Sequence, residues 1–192
     1  PNQQLARELA ERRDADGIAE LVANLKNPEP NIQSDCIKTL YEIGYLAPDL
    51  IAGYADAFLD LLNSKHNRLV WGGMIALGVT APLAADEIHA RLDEVQAAMG
   101  KGSVITIDNG IKTLAGVAAA KDAYRRAILP HLLDHLRTCR SKEIAQHSEY
   151  IVSAVDAQSR QEFTAILEQR MPEVTTSAAA RIRKVLRKAS AA

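Results

Sequence analysis

The tetrapeptide Ile-Lys-Thr-Leu occurs twice in the chain, at Ile37–Leu40 and at Ile111–Leu114, an offset of 74 residues. Midway between them stands Met74-Ile75-Ala76-Leu77, so one leucine recurs as Leu40, Leu77 and Leu114, every 37 residues. A period of this size constrains the fold more than any other feature of the chain. It describes one supersecondary unit that cannot bury its own apolar face and is stacked on copies of itself.

A second apolar set precedes the tetrapeptide at the same spacing. Leu21, Val22 and Leu25 map onto Phe58, Leu59 and Leu62, then onto Val95, Gln96 and Met99, then onto Leu132, Leu133 and Leu136. Ile18, Leu92 and Leu129 keep the register one turn earlier, with Ala55 as the weak member. Positions i, i+3, i+4 and i+7 make one stripe of an amphipathic helix. A second stripe follows in each unit: Ile32, Cys36, Ile37, Leu40 and Ile43; Leu69, Val70, Gly73, Met74 and Leu77; Ile107, Gly110, Ile111, Leu114 and Val117. Cys36, Gly73 and Gly110 put a small residue at one fixed place, where two helix backbones can approach closely.

Turn residues separate the two stripes. Asn27-Pro28-Glu29-Pro30-Asn31, Asn63-Ser64-Lys65-His66-Asn67 and Gly100-Lys101-Gly102-Ser103 occupy equivalent places. Proline and glycine break helices, and Asn and Ser cap the next one. The spacing predicts an all-α chain, a right-handed α-solenoid of about five antiparallel helix pairs. The expected units are about 14–48, 49–82, 83–121, 122–156 and 157–192, with 1–13 as an N-terminal capping helix, all in a single domain. The fourth unit is blurred, with Val152 and Val155 in core register only at an offset of 38. In that register Glu149 falls where Ile37, Met74 and Ile111 stand, which means either a buried carboxylate or a rotated helix.

The second-helix pattern resembles the HEAT-like repeat family, the bacterial kind within the armadillo-like superhelix. Ile32…Cys36-Ile37…Leu40…Ile43-Gly44, Leu69…Gly73-Met74…Ala76-Leu77-Gly78 and Ile111…Leu114…Val117-Ala118 carry the likeness, over most of residues 14–156. One family position departs: the arginine that often follows the first aliphatic is Gln33, Val70 and Ile107 here. The resemblance implies a fold and leaves function open, because such repeats serve many roles.

Composition narrows the classes. Aromatic residues make up 4% of the 192, which suits helices filled with Leu, Ile, Val and Ala. No run of 18 apolar residues suggests a membrane span, and no charged-then-apolar leader stands at the start. The two cysteines, Cys36 and Cys139, read as free thiols, and the expected compartment is the cytoplasm. The net charge of −1 hides an asymmetry: residues 1–96 hold 8 Lys/Arg and 15 Asp/Glu, and residues 97–192 hold 15 and 9. Along a solenoid this is a dipole. Its basic end, Arg181, Arg183, Lys184, Arg187 and Lys188, suits an anionic partner such as nucleic acid, or is a solvated last helix. Arg125, Arg126, Arg137, Arg140 and Lys142 form a second basic cluster.

The segment Leu69–Val79 carries no charge at all. Positions facing away from the core stripe are Asp35, Lys38 and Glu42 in the first unit and Asn109, Lys112 and Gly116 in the third. In the second they are Gly72, Ile75 and Val79, with Trp71 at the flank. In this fold class second helices line the concave surface. Trp71, Ile75 and Val79 therefore form an apolar patch rimmed by Asp35, Lys38, Glu42, Asp108 and Lys112, the mark of a protein- or peptide-binding face. The other reading is a helix buried all round.

Other constellations are weaker. Trp71 and Asp108 hold equivalent places, and aromatic residues plus an aspartate are what helical-repeat alkylated-DNA glycosylases use on a basic surface. The likeness to those enzymes is loose, since the surroundings of Trp71 are not basic. His131 and His135 share a helix face at i, i+4, on the side expected to meet solvent, and lack the His-Glu-x-x-His context of a zinc enzyme. Gly100-Lys101-Gly102-Ser103 has no strand before it and is no phosphate loop. The expectation is a non-catalytic binding scaffold for a protein or peptide, with no cofactor, no metal and no membrane contact. A nucleic-acid binder led by the basic C-terminal half is the alternative.

Overall fold

The structure, a computed structural model, describes residues 1–191, with side chains through Ser190. It is 83% helical and contains no strand among the described residues. Two compact units divide the chain, Pro1–Thr113 and the part from Leu114 onward.

The first unit is built in two layers. Helices α1 (Asn2–Arg12), α3 (Pro30–Leu46) and α6 (Asn67–Thr80) pack side by side, and α9 (Val104–Ala120) begins against α6. Behind them lie α2 (Ala15–Ala23), against α3, and α5 (Ala55–Leu61), against α6. α8 (Leu92–Lys101) belongs with this second layer, since its Met99 side chain lies against Gly110 of α9. Short helices precede two of the outer ones: α4 (Asp49–Ala52) before α5, and α7 (Ala85–Ala90) before α8. Local chemistry explains the boundaries. Asp14 caps α2 by accepting the Gly17 N–H at 2.9 Å, and Pro30 starts α3 where its missing N–H costs nothing. Arg13 closes α1 in the left-handed region, at φ 50°.

The core is the leucine ladder with its neighbours. Leu40, Leu77, Ile43, Phe58, Leu59, Met74, Ile88 and Val95 are inaccessible to solvent. The fixed small position works within a unit. A Cβ on Gly73 would lie 2.8 Å from the Phe58 carbonyl oxygen and 3.0 Å from Leu61 Cβ, so α6 and α5 touch through backbone. Gly110 likewise leaves no space beneath the Met99 side chain. Arg91 ties the outer layer together: it reaches Glu94 at 2.7 Å, Asp60 at 2.9 Å and Asp56 at 3.3 Å. Several expected core residues differ: Leu21, Val22, Val70, Leu92, Met99 and Ile107 are only half-buried. Ile32 is 42% exposed, because it stands in the first turn of α3 where nothing covers it.

The second unit contains α10 (Asp122–Thr138), α11 (Ser141–Ile151), α12 (Arg160–Arg170) and α13 (Thr176–Ala191). α11 packs against α13, and α12 against both α10 and α13. Its core is Leu129, Leu132, Leu133, Leu136, Ile144, Ile151, Phe163, Leu167 and Ile182. Val152 and Val155 are also buried, because α11 gives way to a 3₁₀ turn over Val152–Ala154 that turns consecutive residues inward.

Opposite signs are expected for two Gly→Ala substitutions. Gly73→Ala forces a methyl against backbone and should lower stability by about 1–3 kcal/mol. Gly100→Ala, in an exposed helical turn with nothing within 4 Å of the added carbon, should raise it by about 0.5–1 kcal/mol. Urea denaturation of the two variants beside the parent protein measures both.

Candidate functional site

The uncharged helix α6 is neither free nor engulfed. Gly72, Gly73, Met74, Ala76, Leu77, Gly78 and Thr80 are buried, whereas Trp71, Ile75 and Val79 are half-buried. These three are spaced by four, so they form one line along the helix. Neighbours on three sides remove the rest from water. Ile37 of α3 fills the space over Gly72, α5 backs Gly73, and the Asn109 carbonyl and Lys112 stem of α9 lie over Gly78. A helix enclosed this far has few places for a charge, which accounts for its composition. Val79 also packs sideways, with Cγ2 against Gly44 of α3. Trp71 lines a cavity of about 320 Å³ with Leu62, Asn67, Ala98, Lys101 and Thr106.

The charged rim is more structured than the repeat suggests. Asp35 accepts a hydrogen bond from the Asn2 amide at 2.9 Å, and Glu42 accepts one from Gln3 at 3.0 Å. Helix α1 thus lies along α3 and borders the face. Lys38 is exposed and Asp108 half-buried. Lys112 extends over Gly78 until its ammonium stands 5.5 Å from the Tyr45 ring. Burial pushes the Lys112 pKa down. Tyr45 meets Tyr41 edge to face at 6.1 Å, and Tyr45 and the adjacent Leu46 are more than half exposed. Tyr41 and Tyr45 are an addition to the face that the repeat alignment did not single out. Their spacing of four on an otherwise polar stripe was the available signal.

In the second unit, the basic residues divide. Arg181 is engaged by Glu149 through two contacts, of 2.8 and 2.6 Å. Arg183, Lys184, Arg187 and Lys188 are exposed on α13. Of the other cluster, Arg125 pairs with Asp122, Arg137 with Asp134 and Glu162, and Arg140 with Glu143. Glu149 is exposed, so the rotated helix is the correct reading of its position. Ser148 is buried where the 37-residue offset from Ile111 points, and His147 is buried where it points from Gly110. The two histidines expected at solvent part company. His131 is exposed, while His135 turns inward to meet His147.

No helix among the described residues is long and apolar enough to cross a membrane. No family model matches the chain, and no curated protein matches it by sequence. Solved structures do match. A designed armadillo repeat protein in complex with the peptide (KR)4 superposes with a TM-score of 0.75 at 14% identity, covering 99% of this chain and 89% of that one. A computationally designed armadillo repeat protein for modular peptide recognition gives 0.71 at 14% identity, over 97% and 90%. An engineered protein gives 0.69 at 17% identity, over 98% and 90%. The chain therefore has the armadillo-like, all-helical repeat fold.

The Glu149–Arg181 pair gives a pH test. Arg181 holds the Glu149 carboxyl below its ordinary pKa, so the stabilisation is present above the usual carboxylate range and is lost as pH falls through the lowered folded-state pKa. Both side chains are over a third exposed, so Glu149→Gln should cost less than about 1 kcal/mol at pH 7. Thermal melts at pH 7 and pH 3 should show that difference shrinking at the acid end.

Proposed function

We infer that the first unit is a binding scaffold for an extended segment of a partner protein, one that alternates basic and apolar side chains. The half-exposed line Trp71, Ile75 and Val79 carries this reading. It offers apolar contact area along a helix, and Asp35, Lys38, Glu42, Asp108 and Lys112 surround it. An extended chain presents alternate side chains to such a surface, with apolar ones meeting α6 and charged ones meeting the rim. The sign of the partner follows from charge. Residues 1–113 hold 10 Lys/Arg against 16 Asp/Glu, a net −6. A basic segment is drawn to that field and an acidic one repelled. The designed protein of the same fold in complex with (KR)4 supports the basic character of such a ligand. Tyr41, Tyr45 and Leu46 extend the apolar strip along α3.

Trp71 is the only tryptophan in the chain, which makes it a built-in reporter. Titration with extended peptides of alternating Lys/Arg and Leu/Val should shift its emission, and equal-length Glu-containing peptides should not. Ile75→Asp, at a half-exposed site, should weaken binding at least tenfold, about 1.4 kcal/mol. Raising the salt concentration should weaken it further. Equal response to acidic and basic peptides, or an Ile75→Asp variant that binds as the parent does, overturns the reading.

A further inference from the structure

The small position of the repeat recurs as Cys36, Gly73 and Gly110, and the next offset of 37 falls on His147. In the first unit this position is where the second helix touches the first: Gly73 meets Leu61. Advancing Leu61 by the same period twice gives Ala98 and then His135. A place built for a methylene against a hydrogen thus holds, in the second unit, one imidazole against another. The Nε2 of His135 lies 2.9 Å from the Nδ1 of His147, with ring centroids 4.9 Å apart. Four residues beyond His135, Cys139 closes the helix, its N–H donating to the His135 carbonyl at 2.8 Å. The donor atoms of all three residues lie within 4.8 Å of one another.

We propose that His135, Cys139 and His147 form a zinc-binding site. The donor set and spacing both point to it. Two imidazole nitrogens and one sulfur are borderline-to-soft ligands, which favour Zn²⁺ over the hard, oxygen-seeking cations. Tetrahedral zinc holds such atoms roughly 3.3–3.6 Å apart, given bonds of about 2.0–2.1 Å to nitrogen and 2.3 Å to sulfur. Three donors already within 4.8 Å of one another stand close to that arrangement. His135 on α10 and Cys139, the extended residue that closes that helix, supply two ligands, and α11 supplies the third. His147 is fully buried and Cys139 nearly so, while His135 is half-buried and opens the way in. Three protein ligands leave a fourth position for water.

The surrounding charges are balanced. Arg170 donates to the Leu136 carbonyl at 2.8 Å and lies 3.9 Å from the Cys139 sulfur. Its charge is offset by Glu173, at 2.6 Å. The nearly buried Glu143, paired with Arg140, adds a carboxylate to the same end of α11. Binding leaves a simple proton balance. The Cys139 thiol loses its proton to solvent as the Zn–S bond forms. The proton between the two imidazoles moves to the outer nitrogen of whichever ring carries it, so both facing nitrogens present lone pairs. One proton is released per zinc bound.

The test uses the full-length chain, stripped with chelator and kept reduced. Titration with Co²⁺ should give one equivalent per chain with a thiolate-to-cobalt charge-transfer band, and Zn²⁺ should displace it. Zinc should raise the melting temperature and release about one proton per chain in weak buffer. Cys139→Ser should abolish the charge-transfer band. His135→Ala, at a half-exposed position, should keep the helical circular dichroism and weaken Co²⁺ binding roughly 100-fold or more. Absence of cobalt absorption at tenfold metal excess overturns the proposal. So does a band that survives both Cys139→Ser and His135→Ala, since the metal would then sit elsewhere.

Discussion

Everything in the first unit depends on how closely the helix of the second stripe approaches the helix before it. At Gly73 the approach is backbone to side-chain root, with no room for one carbon. That contact sets the depth of the leucine ladder, so Leu40 and Leu77 are wholly withdrawn from water. It also sets what α6 can expose. Because α5 seals one side, α3 another and α9 a third, one line of side chains remains, and that line is the candidate binding face. Packing density and the proposed binding face therefore have one origin here: small residues at a fixed phase of the repeat.

The same constraint explains the second unit by contrast. His147 stands at the position that is glycine in two earlier repeats, and its ring meets that of His135. A buried imidazole needs a partner, and the pair supplies one within the unit. Cys139, one turn along, completes a cluster whose members are separated by only 12 residues. The repeat frame makes this visible: a titratable pair replaces an apolar contact at a defined phase.

Electrostatics act on a different scale. The acidic first unit and the basic second one differ in their long-range field, yet most charges near either proposed site are already committed. Asp35 and Glu42 accept amide hydrogen bonds from α1, Arg181 is held by Glu149, and Arg170 by Glu173. Such commitments orient side chains and leave net charge, rather than individual ions, as the quantity a partner meets.

The sequence by itself determined the helical class, the apolar stripes and the absence of charge on α6. These are properties of local periodicity, and periodicity is written in the order of residues. It also located the turns, because proline, glycine and asparagine act on their own backbone. The tertiary structure alone decided which of the apolar residues on α6 stay in contact with water, since that depends on three neighbouring helices. It decided that α1 borders the face and occupies Asp35 and Glu42. It decided that Glu149 points outward and His147 inward, because a 3₁₀ turn after Ile151 lets both the 37- and 38-residue registers reach the core. His135 and His147 belong to different stripes, and no local pattern links them; only the packing of α10 on α11 brings their nitrogens together.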